Sequence, residues 1–166
     1  LSAMANTREL APVVASIALA AKVGTGFTAR LGSMRISDEI DALDAMSVPT
    51  IPYLAGTRVI ATMICIVPLY AVGLVATYIA TRVVVVHVNG GSAGTYDYFF
   101  HITLGPEDVL YSLIKAVVFA LVIVLVHCSY GYHATGGPEG VGRAAGRALR
   151  TSILLIGFID IVLTFA

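Results

Sequence analysis

Charge is the scarcest commodity in this chain: Lys and Arg number 10, Asp and Glu number 10, together 12% of 166 residues, with no net charge. A soluble domain carries about 25% charged residues, so this composition, with a mean hydropathy of +0.90, is that of a membrane protein. Lacking a basic excess, the chain has no face with which to meet phosphates in quantity, which argues against nucleic-acid binding. Cysteine is limited to Cys65 and Cys128. Both sit in apolar runs and read as small core residues, against a disulfide framework or a paired-cysteine metal site. His87, His101, His127 and His133 show no ligand spacing, so no metal site is expected. No GxxxxGK[ST] occurs, and the "GTG" at 24–26 has no strand before it, so the chain has no known ATP-binding loop of its own. No serine, histidine and acid grouping suggests a nucleophile.

What is present in quantity is long apolar sequence. Residues 59–81 hold 23 positions without a charge, roughly 35 Å of helix and enough to cross a bilayer. Residues 10–29 are apolar apart from Lys22, 109–132 apart from Lys115 and a few polar groups, and 151–166 apart from Asp160. The expectation is all-α: a polytopic transmembrane helical bundle forming one domain over 1–166, with spans at about 9–30, 59–81, 109–132 and 151–166. Pro68 falls inside the second span, where a kink is expected and membranes tolerate one. "RVVVVHV" (82–88) can extend that helix or form a short strand. The chain opens on Leu1, directly into apolar sequence without the pattern of a secretory signal; an upstream part is expected to be missing.

Lysine and arginine set the orientation. Arg30, Arg35 and Arg58 flank the first connection and Arg143, Arg147 and Arg150 the last, whereas residues 82–108 hold only Arg82. The first and last connections are therefore expected to be cytoplasmic. The middle loop is then external, with Tyr96, Tyr98, Phe99 and Phe100 as interface anchors.

Four of the ten acids fall within "SDEIDALDAM" (37–46). Ser37 can cap a helix, Asp38 and Glu39 suit its first turn, and Val48-Pro49 can end it. Ile36, Ile40, Leu43 and Met46 fall on one side, with Asp38, Asp41 and Asp44 spread over the rest. The pattern predicts a short amphipathic helix over 37–48 on the cytoplasmic side. Its acidic face would be repelled by anionic lipid, so docking on a partner protein fits better.

Three further features bear on function. Ser16, Ala20, Gly24, Thr28 and Gly32 recur at every fourth position, a stripe of small residues that allows close helix approach, within the chain or between subunits. Lys22, Lys115 and Asp160 are charges inside spans, each needing a partner or a wet cavity. Counting rise per residue from Arg30 and Arg150 puts Lys22 and Asp160 about 12 and 15 Å from one edge, which predicts a Lys22–Asp160 ion pair; the alternative is that both face water or that Lys22 reaches the interface. In "GGPEGVGRAAGRALRTS", Pro138 and Glu139 suit a helix start, with Arg143, Arg147 and Arg150 on one face. That face suits lipid head groups or an acidic partner surface.

"RELAPVVASIALAAKVGTGFTARLGSMRISDEIDALDAMSV" (8–48), the apolar span with its internal "VPL", "SLIKAVVFALVIVLVHCSYGY" (112–132) and "GVGRAAGRALRTSILLIGFIDIVLT" (140–164) together resemble the MlaE/YrbE permease family, with wording closest to actinobacterial YrbE subunits of Mce transporters. The resemblance implies a subunit of an ABC-type lipid transporter in the bacterial cytoplasmic (inner) membrane. Family members pair as homo- or heterodimers, bind two cytoplasmic ATPase subunits that hold ATP and Mg, and work with extracytoplasmic MCE-domain proteins that form a lipid tunnel. No cofactor is implied in this chain itself. Members begin with an interfacial helix and a further span that this sequence lacks. Their coupling helix, seated in a groove of the ATPase, corresponds to Ser37, Asp38, Glu39, Ile40, Asp41, Leu43, Asp44 and Met46. Arg8, Glu9, Leu10 and Pro12 match the cavity-side segment and are implied in the lipid path. The competing readings are a structural assembly subunit without a substrate path, and an integral membrane enzyme, for which only Lys22, Lys115 and Asp160 offer reactive groups.

Overall fold

The structure, a computed structural model, describes residues 6–88, 90–92, 94, 97–98, 102 and 105–165. Four helices are long and apolar enough to cross a membrane: α1 (Thr7–Ile36), α3 (Thr50–His87), α4 (Pro106–Tyr132) and α5 (Gly137–Phe165). A short helix, α2 (Glu39–Ala45), stands between α1 and α3. No strand occurs among the described residues. Residues 84–88 extend α3 by a wide π turn, and the helix runs through Pro68 without ending. Of the proposed loop anchors, Tyr96, Phe99 and Phe100 lie outside the described residues, as does His101. Tyr98 is exposed.

The four long helices run up and down, so the bundle has two ends. One carries α2 and the 133–136 turn. The other carries Thr7, His87, Pro106 and Phe165. At the first end α5 begins at Gly137, and its arginine-bearing start continues without a break into the apolar stretch beyond Thr151.

Helix α4 is the central element and packs against α1, α3 and α5. Its buried positions include Ser112, Lys115, Ala116, Phe119, Ala120, Ile123, Val124, His127, Cys128 and Gly131, a three-and-four spacing that keeps one broad face inward. Helix α3 buries Thr62, Ile66, Tyr70 and Leu74, an i, i+4 row, while Ile60, Ile64, Val72 and Ile79 face out. An apolar outer face is the expected finish for a helix whose solvent is lipid. Cys128 is buried, but Cys65 is exposed on α3; it follows Ile64 on the outward side and is not a core residue.

Within lipid the hydrophobic effect does not hold helices together, so close packing and hydrogen bonds must do so. The small-residue stripe serves that end inside this chain: Ser16, Ala20, Gly24, Thr28 and Gly32 are all buried. A Cβ on Gly24 would lie 2.6 Å from the His127 ring, one on Gly131 would lie 3.0 Å from the Thr28 Cα, and one on Gly32 would lie 2.7 Å from Val141. Thr28 Oγ1 lies 2.8 Å from His127 Nδ1 and 3.0 Å from the His127 carbonyl. The same hydroxyl reaches the Gly24 carbonyl at 3.4 Å, so it ties α1 to α4 at this crossing.

Candidate functional site

The chemistry-bearing groups gather at the two ends. At the end bearing Thr7 and Pro106, Lys115 projects from α4 nine residues in, about 13 Å along the helix. Its side chain is 1% exposed, with Nζ 2.8 Å from Asp160 Oδ1 and 3.1 Å from Glu9 Oε2. It also donates to Thr164 Oγ1 at 3.0 Å and reaches the Arg8 carbonyl at 3.4 Å. Thr164 in turn reaches Glu9 at 3.1 Å. One lysine thus joins α1 and α5 to the central helix. Burying an ammonium costs several kcal/mol, and two carboxylates with a hydroxyl supply the compensation that makes the position tenable.

A second pair lies beside it. Arg8 Nε is 3.2 Å from Asp108 Oδ1, and its guanidinium lies 5.4 Å from the centre of the Tyr111 ring. Asp108 also accepts from the Gly105 backbone N–H at 3.1 Å, closing the first turn of α4. The Tyr111 hydroxyl donates to the Leu163 carbonyl and Ser112 to the Thr7 carbonyl. Arg8, Glu9, Asp108, Lys115 and Asp160 sum to a formal charge of −1, two cations against three anions. Of the positions assigned to a lipid path, Glu9 and Arg8 enter this network, Pro12 is buried, and Leu10 faces outward at 56% exposure.

The predicted Lys22–Asp160 pair does not form. Asp160 and Glu9 meet the same ammonium, and Lys22 follows Glu9 by 13 residues on α1, about 20 Å along the axis. Lys22 is also exposed. It sits two positions from both Ala20 and Gly24, about 200° away from the inward stripe. Counting depth from Arg150 misled because α5 starts at Gly137, so Asp160 lies near the far end. Depth counted from Thr7, Pro106 and Phe165 would have grouped Glu9, Lys115 and Asp160.

At the opposite end, α2 departs from its predicted form. Ser37 does not cap it: the Ser37 and Asp38 N–H groups close the end of α1 on the Ser33 and Arg35 carbonyls. Asp38 takes a left-handed conformation, φ 57°, so the chain can reverse between two helices; Asp is among the few non-glycine residues that adopt it readily. Ser47, φ 60°, ends the helix before Val48-Pro49. Ile40 is fully buried and packs with Leu31, Leu54, Val124 and Cys128, and Leu43 leans on the same cluster. Ile36 and Met46 are exposed, at 37% and 66%, so they leave the predicted apolar side. Seven residues make only two turns, and two turns bring two side chains to the core.

The acids divide. Asp41 pairs with Arg35 at 2.7 Å, and Asp44 accepts from Thr50 at 2.9 Å. Asp38 and Glu39 are exposed, with no ion pair or side-chain hydrogen bond among the described residues. The helix therefore offers uncommitted carboxylates while Ile40 fixes it to the bundle.

Comparison with known proteins follows the same lines. A family model described as "Permease MlaE" matches residues 1–166. The chain is 37% identical over 150 residues to a "Probable ABC transporter permease protein" of Rickettsia bellii, covering 90% of this chain and 58% of that one. It is 34% identical over 166 residues to "Protein TRIGALACTOSYLDIACYLGLYCEROL 1, chloroplastic" of Arabidopsis thaliana, covering 98% and 46% respectively. A probable ABC transporter permease protein of a Synechocystis strain is 34% identical over 160 residues. The chain thus spans about half the length of these relatives. A four-span all-helical bundle matched from end to end leaves no doubt of its kinship: this chain belongs to the MlaE permease family.

Proposed function

We propose that the chain is a membrane-spanning part of a permease in an ABC-type transporter that moves lipid, acting without catalytic residues of its own. The match to the permease family over the whole chain carries this reading, and the Arabidopsis relative bears the name of a galactolipid. The end with α2, Arg35 and Arg143 faces the cytoplasm by its lysine and arginine content, in a bacterial inner membrane. There α2 docks on an ATPase subunit that holds ATP and Mg, with Asp38 and Glu39 as its free carboxylates. The permease pairs with a second copy or a related chain, and its opposite end meets extracytoplasmic MCE-domain proteins.

Helix α4 provides the mechanical link. Helix α2 bears directly on α1 and α3, and its Ile40 belongs to an apolar cluster that includes Val124 and Cys128 of α4; Lys115 lies nine residues before Val124 on α4, about 13 Å. A rigid displacement of α2 on ATP closure therefore tilts the helix that holds the ion cluster. Glu9 and Arg8 stand where that cluster meets the outside, with the exposed Leu10 beside them, so they border the lipid path. The test is co-purification of the full-length permease with its ATPase. Asp38→Lys with Glu39→Lys is expected to abolish the complex and ATP-driven lipid transfer between vesicles while the melting temperature holds. Unchanged association and transfer would sink the docking role.

A further inference from the structure

Outside the ion cluster and α2, one feature stands unused: the start of α5. Arg143, Arg147 and Arg150 follow one another at steps of four and three on an exposed face. Against these three cations stands one carboxylate on the same turns, Glu139, 83% exposed and 3.4 Å from Arg143. Arg147 also borders a cavity of about 280 Å³ between α5 and the end of α4, into which Tyr130, His133 and Thr135 bring polar groups. A second, shallower hollow runs along Arg143, Arg147 and Arg150 themselves.

The continuation of this face along α5 decides what it suits. Seven-residue steps from Arg147 lead to Leu154 and Ile161, and Phe158 and Phe165 lie alongside. These four are 75%, 60%, 67% and 87% exposed. One helix face is thus a column of outward apolar side chains that ends in three arginines just where the apolar run stops. A soluble partner would meet the arginines but leave the column below them uncovered, and a second copy paired through this face would set its own three arginines against these. A molecule with an acyl chain and an anionic head matches both parts. Guanidinium groups bind phosphodiester oxygens through paired N–H donors.

We propose that this face is a binding site for one anionic phospholipid. Its phosphate is held by Arg147 and Arg150, with Arg143 above and the polar cavity beside Arg147 receiving the head group. An acyl chain lies along Leu154, Phe158 and Ile161. The site is at the opposite end of the bundle from Lys115 and does not depend on the transport reading: it anchors and orients α5, the helix that contributes Asp160 to the ion cluster.

The test is native mass spectrometry of the full-length permease in a neutral detergent, titrated with dioleoyl phosphatidylglycerol, dioleoyl phosphatidylcholine or inorganic phosphate. Phosphatidylglycerol is expected to be retained at one per chain and phosphatidylcholine not. With about 1 kcal/mol per arginine near the site, Arg147→Gln should weaken retention about fivefold and the triple Arg143→Gln, Arg147→Gln, Arg150→Gln variant on the order of a hundredfold. Arg147→Lys, which keeps charge and loses the paired donors, should fall between wild type and Arg147→Gln. If the triple variant does not accumulate, the two single variants decide. Equal retention of phosphatidylcholine, or retention unchanged in Arg147→Gln, overturns the site. Full displacement by millimolar inorganic phosphate would make it a soluble-anion site and overturn the lipid assignment. Loss of the ATPase with phosphatidylglycerol still bound would make it a protein-docking face and overturn the proposal as well.

Discussion

Lys115 is 1% exposed and touches two carboxylates; Glu39, at the other end of the bundle, is exposed and touches none. The two ends use scarce charge in opposite ways. At the Lys115 end every charge has a partner, with a formal −1 left over, and their geometry joins α1, α4 and α5 in a medium that penalises any unpaired ion. At the α2 end they stay in water, where a pair such as Asp41–Arg35 is worth about 1 kcal/mol or less, and Asp38 and Glu39 are left available to something outside the chain. The contrast shows how one all-helical chain can keep a fixed core while presenting a surface for docking.

Removing the lysine should strike this contrast hardest. Lys115→Met leaves two partly buried carboxylates, Glu9 and Asp160, facing each other without their cation; losing one partner of a fully buried pair costs about 3–5 kcal/mol, and water at Glu9 brings the expected loss to the low end of that range. A sharp fall in the melting temperature, or failure to accumulate in the membrane, is expected. The triple neutral variant Lys115→Met, Glu9→Gln, Asp160→Asn should recover most of the loss; a triple variant no better than the single one would break the idea that mutual neutralisation is what counts.

Next comes the crossing of α1 and α4. Gly24→Ala places a Cβ 2.6 Å from the His127 ring, an overpacking worth about 1–3 kcal/mol. Gly26→Ala has nothing within 4 Å and should be neutral or slightly stabilising by helix propensity. Equal melting temperatures for the two variants would show that α1 and α4 do not approach this closely.

A smaller effect on stability is expected from the free acids of α2. Asp38→Lys with Glu39→Lys should change unfolding free energy by no more than about 0.5 kcal/mol, whereas Ile40→Ala should cost about 2–5 kcal/mol because Ile40 is fully buried. Denaturation of the purified proteins separates the two: comparable losses would mean that the acids belong to the fold and not to a docking surface. The smallest effect concerns Lys22. A double-mutant cycle of Lys22→Met with Asp160→Asn should show coupling below about 0.5 kcal/mol, as for residues without contact; a larger coupling would restore the pair that the structure does not form.

The sequence by itself determined the class of the molecule. Unbroken apolar runs, a lack of charge and a four-residue spacing of small side chains follow from what lipid requires of any chain that crosses it, and those requirements act locally along each helix. They give four spans, an acidic helix between the first two, and an inward face on α1. Family resemblance was legible for the same reason, since "RELAPVV" and "SDEIDALDAM" are continuous stretches. Only the tertiary structure decided which charges meet. Glu9 and Lys115 lie 106 residues apart and Thr164 lies 49 from Lys115, and no local pattern records either the rotational phase of a helix or the end from which its depth must be counted. The same holds for Ser37 and Met46, whose roles at α2 depended on how the chain reverses at Asp38 and on the two side chains, Ile40 and Leu43, that two helical turns could carry to the core.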